Sequence, residues 1–96
     1  MTKAEIVKHI TTETGIDGNT TAMIVDRLFE KIRNTVAGGE EVFFRGFGTF
    51  GTKHRAQKIG QNMSKGTSVV IPAHDIPSFK PAKVFKQQVL NSQHEK

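Results

Sequence analysis

The chain has 96 residues, no cysteine, and 14 Lys and Arg against 9 Asp and Glu, for a formal net charge of +5 at pH 7. This length predicts one small domain whose core buries so little apolar surface that a partner subunit is expected. The lack of cysteine excludes disulfides and thiolate metal sites. We expect a soluble cytoplasmic protein with no membrane partner, because the first residues lack a signal-peptide pattern and no apolar run reaches the roughly 18 residues of a membrane span.

The charge is unevenly distributed along the chain. Residues 1–48 carry six Lys and Arg against seven Asp and Glu, a net of −1, whereas residues 49–96 carry eight against two, a net of +6. Between Lys53 and Lys86, seven cations accompany a single acid, Asp75. This asymmetry indicates a polyanionic partner, most commonly nucleic acid. An anionic membrane surface is the less favoured alternative, because the basic stretch does not have the pattern of an amphipathic helix.

The first half of the chain predicts a helical hairpin. Thr2 and Glu5 fit a capping box, Gly15 is a left-handed stop, Asp17 can cap a longer second helix, and Gly38 follows its end. The apolar residues recur at intervals of three and four and define one face, which consists of Ile6, Val7 and Ile10 in the first helix and Val25, Leu28, Phe29, Ile32 and Val36 in the second.

The second half predicts strands and a final helix. Residues 42–44 form a short strand, residues 45–48 a tight turn, and residues 49–59 a longer β segment that becomes polar after Phe50. Residues 60–66 have turn chemistry, and a strand returns from Val69, with Pro72 marking an edge or a bulge. Pro81 fits the first turn of a last helix that buries Phe85 and Val89 and exposes Lys83 and Lys86. A polar tail spans residues 91–96.

These elements predict an α+β fold with an N-terminal helical hairpin, a three-stranded antiparallel sheet with a long β-ribbon arm, and a short C-terminal helix. The outer half of the ribbon has almost nothing apolar to bury, and a two-stranded ribbon alone is marginally stable in water. Its basic residues suggest that DNA orders it. All seven Phe residues are expected in the core, which a dimer would share, and the chain has no Trp or Tyr to stack on the bases of single strands.

Other chemistries find little support in the sequence. Residues 46–51 match G-x-G-x-x-G, but a strand-like run follows where the dinucleotide fingerprint requires a helix, so the glycines are interpreted as turn and close-approach residues. The four His residues are scattered, with none at i, i+4 on a helix, so we expect no metal and no cofactor. No nucleophile–base set is discernible, and neither an enzyme nor a small-molecule substrate is predicted.

Several motifs together resemble one family. A helical hairpin is followed by Gly46-Phe47-Gly48-Thr49-Phe50, then by Arg55-Ala56 and Gly60-x-Asn62, and finally by the run from Pro77 to Lys83. This order is similar to that of the bacterial HU/IHF family of histone-like DNA-binding proteins, over about residues 1–90. The resemblance implies an intertwined dimer whose sheets form a saddle and whose arms, here about residues 53–74, reach around the minor groove of double-stranded DNA. It also implies low-specificity, architectural binding and bending of DNA in the bacterial nucleoid.

The resemblance carries DNA-binding roles to individual positions. Arg45 falls on the saddle turn, and three lysines of the C-terminal segment would grip flanking phosphates. The arm and its tip would supply the remaining contacts. The complete set of expected DNA-binding residues is Arg45, Lys53, Arg55, Lys58, Gln61, Asn62, Met63, Lys65, Lys80, Lys83 and Lys86.

The tip departs from the family pattern. Where the family usually has Gly-Arg-Asn-Pro, with the proline wedged between base pairs, this chain has Gly60-Gln61-Asn62-Met63. Met63 is apolar and is therefore the expected intercalating wedge, although it is less pre-organised than proline. Gln61 removes a charge at the groove, so a more modest affinity is expected.

Two alternatives remain open at the level of sequence. A chain of the same fold could be a sequence-preferring IHF-like bender or one subunit of a heterodimer, because such specificity comes largely from DNA deformability and leaves no motif in one chain. An RNA-binding protein is the alternative from another class.

Overall fold

The computed structural model of the chain describes residues 1–62 and 66–93, with only the backbone of residues 61 and 62. In chain order its elements are α1 (Lys3–Thr14), α2 (Gly18–Ala37), β1 (Val42–Phe44), β2 (Gly48–Arg55), β3 (Lys58–Asn62), β4 (Thr67–Ile71), β5 (His74–Pro81) and α3 (Lys83–Gln93). The α+β prediction is confirmed, with helices at both ends of a central antiparallel β region.

The helical hairpin begins and ends at the residues that the sequence indicates. The Thr2 hydroxyl accepts a hydrogen bond from the Glu5 N–H at 3.3 Å, and Gly15, with φ 76°, donates to the Thr11 carbonyl at 2.9 Å. The Asp17 carboxylate caps α2 by accepting from the Thr20 N–H at 3.1 Å. Each cap satisfies a backbone group that a helix end leaves without an intrahelical partner.

The three-stranded sheet has the order β1-β2-β5, and both pairings are antiparallel. A tight turn joins β1 to β2, in which the Phe47 N–H donates to the Phe44 carbonyl at 3.0 Å and Gly46 has φ 78°. The β2–β5 pairing runs over eight residues, from Gly48 opposite Pro81 to Arg55 opposite His74.

The β-ribbon is a separate two-stranded sheet of β3 and β4, in register from Lys58 opposite Ile71 to Asn62 opposite Thr67. The sequence predicted unbroken β structure from residue 49 to residue 59, but residues 56 and 57 belong to no strand. Continuing the register would place Pro72 opposite Gln57. Proline has no N–H to donate, so the ladder of hydrogen bonds is interrupted at Pro72. This is the position at which the sequence predicted an edge or a bulge.

The prediction for the start of the last helix was wrong. Pro81 is the final residue of β5, opposite Gly48, and not part of the first turn of α3. Pairing continues one residue further, because the Ala82 N–H donates to the Phe47 carbonyl at 2.8 Å, and only then does Lys86 N–H make the first helical bond, to the Ala82 carbonyl. The helix runs to Gln93, into the segment expected as a polar tail, and residues 94–96 lie outside the described structure.

Packing between the sheet and α3 is largely aromatic. The Phe50 and Phe79 rings lie 4.6 Å apart between centroids, and Phe47 stacks on Phe85 at 5.3 Å. Phe44 completes this aromatic cluster through edge contacts with Phe47 and Phe50. In a single copy three Phe residues are exposed, namely Phe43 at 70%, Phe47 at 46% and Phe29 at 41%. Phe47 still packs in the aromatic cluster and Phe29 lies on the apolar side of α2, whereas Phe43 in β1 lies on the other side of the sheet from the cluster.

A single copy of the chain buries little of its apolar surface. Among the described residues, Val36 is the only buried large apolar side chain, at 8% exposure. Val89, predicted to face inward, is half exposed, and further exposed apolar side chains lie on all three helices, namely Ile6 in α1, Met23, Ile24, Leu28 and Phe29 in α2, and Val84 and Leu90 in α3. The helical face predicted from the sequence is therefore only partly covered in one copy, where Ile6, Leu28 and Phe29 remain exposed.

Candidate nucleic-acid interface

One face of the three-stranded sheet is cationic. Residues directly opposite each other in an antiparallel pair point to the same side, and side chains alternate sides along a strand. Opposite the face that holds the aromatic cluster, the sheet therefore presents Lys80 paired with Thr49, Lys53 paired with Ile76, and Arg55 paired with His74. We call this side of β1, β2 and β5 the cationic face. Its Lys53, Arg55 and Lys80 side chains are exposed.

Arg45 lies at the end of the sheet away from the ribbon. It occupies the first central position of the β1–β2 turn and is exposed, and the positive φ of Gly46 at the second central position allows the chain to reverse there. Because α3 follows β5 at this same end, Arg45 and the lysines of α3 share one end of the molecule.

The α3 helix separates its apolar and basic residues as predicted for three of the four positions. Phe85 reaches the aromatic cluster, while Lys83 and Lys86, three residues apart, are exposed. Side chains at this spacing are neighbours on a helix surface. Lys80, near the end of β5, precedes Lys83 by three residues in the chain, and we call these three exposed lysines the basic row.

The ribbon contributes Lys58, which is exposed at the start of β3 opposite Ile71. Of the other residues predicted at the arm, Gln61 and Asn62 are described by their backbone alone, in β3. Met63 and Lys65 lie outside the described residues, so the predicted wedge has no structural description. The structure thus places seven of the predicted cations, all exposed, on the sheet, its turn, the ribbon and α3.

The acid within this basic segment faces away from the cationic face. Asp75 is opposite His54, and the two side chains meet at 2.9 Å on the side that also carries Phe50 and Phe79. A different acid was missed by sequence reasoning. The side chain of Glu41 lies over Gly51, where an added Cβ would come within 3.3 Å of the Glu41 Cγ and Oε2. Because Gly51 is on the same side of β2 as Lys53, Glu41 is an acid on the cationic face. A glycine in the middle of β2 was the available signal of a close approach.

Metal and nucleotide chemistry find no support in residues 1–60 and 66–93, whose side chains are described, because no group of three or more His, Asp or Glu side chains there could hold a metal ion. The glycines of residues 46–51 lead into β2 and not into a helix, so the phosphate-binding geometry of the dinucleotide fingerprint is not formed. Within the described part of the chain, no helix is long and apolar enough to cross a membrane.

Comparison with known sequences identifies the family. Residues 1–90 match the sequence model of the family described as bacterial DNA-binding protein. The chain is 36% identical over 89 residues to DNA-binding protein HU 2 of Bacillus phage SPbeta, covering 93% of this chain and 97% of that protein. It is also 36% identical over 93 residues to the integration host factor β subunit of Marinobacter nauticus, covering 96% and 95% of the two chains.

Solved structures agree with this assignment. The fold is similar to that of HU in an Anabaena HU–DNA cocrystal structure, with a TM-score of 0.88 and 27% identity over 93% of this chain and 97% of that one. It is similar to HU from Thermotoga maritima with a TM-score of 0.65 and 26% identity, over 93% and 98% of the two chains. The chain therefore belongs to the HU/IHF family of bacterial DNA-binding proteins.

Proposed function

We propose that this protein binds and bends double-stranded DNA with low sequence specificity, as an architectural component of the bacterial nucleoid in the cytoplasm. The observation that carries the proposal is the cationic face, where Lys53, Arg55 and Lys80 are exposed while Asp75 points to the opposite side. Its fold is similar to that of HU in an HU–DNA cocrystal structure, at a TM-score of 0.88.

Phosphate contacts account for the low specificity. Lys and Arg side chains neutralise DNA phosphates and release condensed counterions, which gives affinity and position without reading the bases. We assign this role to Arg45, Lys53, Arg55 and Lys58, and to the basic row at the end of β5 and in α3, Lys80, Lys83 and Lys86. With several contacts in each subunit, the slope of log K against log salt concentration is expected to be roughly −5 or steeper for a dimer.

The bend is assigned to the arm, about residues 53–74, with Lys65 as a further phosphate contact and with Gln61, Asn62 and Met63 at the minor groove. An apolar side chain wedged between base pairs kinks the duplex toward the major groove. Met63→Ala is expected to reduce the bend angle while leaving most of the phosphate-driven affinity. Gln61→Ala is the matched control at the same tip, and an unchanged angle in Met63→Ala would refute the wedge.

A second copy of the chain is proposed as the partner subunit. An open, largely apolar hollow of about 750 Å³ lies between α2 and the sheet, lined by residues that include Ile32, Val36, Phe50 and Phe79. Leu28 and Phe29, one helical turn before Ile32, extend this apolar surface along α2. Covering both surfaces would supply the apolar burial that a chain of this size lacks by itself.

The direct test is end-to-end energy transfer on a doubly labelled duplex of about 30 base pairs, titrated with the purified protein alone. A saturable rise would support binding and bending by a homodimer. Binding without a rise would leave a protein that coats DNA and does not bend it. An absence of binding would contradict the proposed function for the homodimer, and repeating the titration with an RNA duplex would test the RNA-binding alternative.

A heterodimer subunit, or a sequence-preferring bender, is the second candidate. It is favoured by the identity to an integration host factor β subunit, which at 36% equals that to HU 2. Because such preference is expressed through DNA deformability, the affinities for duplexes of equal length and different flexibility would differ strongly. Equal affinities across such a panel would favour the low-specificity homodimer.

No catalytic role is proposed. The relatives reported above are DNA-binding proteins and integration host factor subunits, and the contacts described for this chain use charge and shape alone. No cofactor is part of the proposed function.

A further inference from the structure

Phe43 occupies an unusual position, because an exposed aromatic side chain lies on the cationic face. In the sheet, Phe43 is opposite Thr49, and Thr49 is opposite Lys80, so the three side chains form one row across β1, β2 and β5 on the same side. Phe43 is 70% exposed, whereas its neighbours Val42 and Phe44 are partly buried on the other side.

The aromatic cluster does not account for Phe43. Five rings make the aromatic contacts found in the described part of the chain, and Phe43 is not among them. A β-strand places successive side chains on opposite sides, so Phe43 cannot reach the cluster while Phe44 does. Whatever covers Phe43 must therefore approach the sheet from the cationic face.

The charges on this face identify what covers it. Lys80 ends the row that Phe43 begins, and Lys53 and Arg55 continue the same side of β2 toward the ribbon. Glu41 lies over Gly51 on this side, so among the residues named here three cations stand against one acid. A second basic copy of the chain seated here would bring like charges together, whereas a polyanion would be attracted. Of the polyanions, duplex DNA also offers apolar surface, through its deoxyribose rings and the walls of its minor groove.

Resting on the proposed function, we propose that Phe43 is an apolar DNA contact, packing against the sugars of a duplex that is held on the cationic face by Lys53, Arg55 and Lys80. Because Phe43 belongs to a paired strand, its ring contacts the sugars from the surface of the sheet and does not enter the base stack as a wedge. The contact adds affinity that does not depend on counterion release. Because the contact is the same for any base sequence, it strengthens binding without adding sequence specificity.

The test separates the apolar and ionic parts of DNA affinity. Affinity for one fixed duplex is measured over a range of salt concentrations for wild type, Phe43→Thr, Phe43→Leu and Lys80→Gln. Phe43→Thr keeps a residue that favours strands, and it is expected to weaken binding by about tenfold or more at every salt concentration with an unchanged slope. Phe43→Leu restores most of the affinity. Lys80→Gln instead makes the slope shallower by about 1.8 for a dimer.

The outcomes are distinguishable. If wild type binds and Phe43→Thr binds equally well, the apolar contact is refuted while the proposed function stands. If wild type itself fails to bind DNA, both the apolar contact and the proposed function are refuted. Sedimentation of the DNA-free proteins tests whether a second copy of the chain, and not DNA, covers Phe43. A changed assembly state in Phe43→Thr would mean that it does, and this result would overturn the proposal. Circular dichroism checks folding, and Phe43→Gln replaces Phe43→Thr if the threonine variant is unfolded.

Discussion

At the scale of single residues, Gly48 has the least space around it of the glycines in the sheet. It is buried where β2 meets β5, and an added Cβ would come within 2.5 Å of the Lys80 carbonyl oxygen and 2.6 Å of the Phe79 ring. The carbonyl belongs to paired backbone and cannot move aside without breaking the sheet. Gly48 therefore fixes the approach of β5 and, with it, the position of Lys80 on the cationic face.

Gly48→Ala is expected to destabilise the protein by about 1–3 kcal/mol, the usual cost of overpacking. Equilibrium unfolding in urea at a fixed protein concentration should show a lower midpoint with a similar slope. Gly18→Ala is the matched control, because nothing lies within 4 Å of its added Cβ and alanine favours the helix that begins there. Equal midpoints for Gly48→Ala and wild type would contradict the described packing.

The conformation of some residues follows from their own chemistry, whereas the orientation of others follows from strand pairing. The glycines of residues 46–48 were predictable as turn and close-approach residues, because their conformation follows from the lack of a side chain. The orientation of Phe43 was not predictable, because residues 42–44 have no polar break that shows which side faces the core. Only the register with β2 assigns Phe43 to the cationic face.

At the scale of elements, the helix ends are set by their own capping residues. The Asp17 carboxylate accepts a hydrogen bond from the Thr20 N–H and lies 3.4 Å from the Thr20 hydroxyl. Asp17→Ala leaves that backbone N–H without its side-chain partner and is expected to lower the free energy of unfolding by about 1 kcal/mol. Asp17→Ser keeps a capping oxygen and is expected to retain most of that stability. Thermal unfolding at matched protein concentration would measure both, and an unchanged midpoint in Asp17→Ala would show that water replaces the cap without loss.

The element boundaries show why sequence reasoning succeeded in one half of the chain and erred in the other. Capping and periodicity act within about four residues, so α1 and α2 could be predicted closely. The start of α3 depends on a distant partner, because β5 stays paired with β2 through Pro81 and the Ala82 N–H then bonds to Phe47. A proline is compatible with the end of a strand and with the start of a helix. The pairing of β5 with β2 places Pro81 at the end of the strand.

In the candidate site, too, some features follow from the local sequence and others from long-range strand pairing. Its cations could be found from charge alone, since seven of them stand between residues 53 and 86 with a single acid. The grouping of Lys53, Arg55 and Lys80 on one side, and the placement of Asp75 against His54 on the other, follows from a cross-strand register that joins residues 19 to 33 positions apart. No pattern within one strand contains that register.

At the scale of the whole molecule, the apolar face of α2 determines whether the fold can exist alone. Ile24, Leu28 and Phe29 are 53%, 45% and 41% exposed, and the hollow between α2 and the sheet is lined in part by Ile32 and Val36. A chain of this length depends on such surface being buried. Folding and association are therefore expected to be a single event, in which the native state forms only as two chains meet.

This coupling predicts that thermal stability depends on protein concentration. When a dimer unfolds to two chains, each tenfold rise in concentration favours the native state by about 1.4 kcal/mol, which corresponds to roughly 3–6 °C in Tm for a pair of chains of this size. Leu28→Glu places a charge in the face that the second chain is expected to cover. It is expected to abolish both the dimer and DNA binding, because in the dimer the charge would lose its hydration without gaining a partner.

Sedimentation equilibrium and melts over a hundredfold concentration range provide the measurement. Asn34→Glu, which adds the same charge at an exposed position of the same helix, is the control and is expected to keep both the dimer and the concentration dependence. A concentration-independent Tm in wild type would mean that one chain folds by itself. The two arms would then no longer be fixed relative to each other, and bending would require that the DNA bring them together.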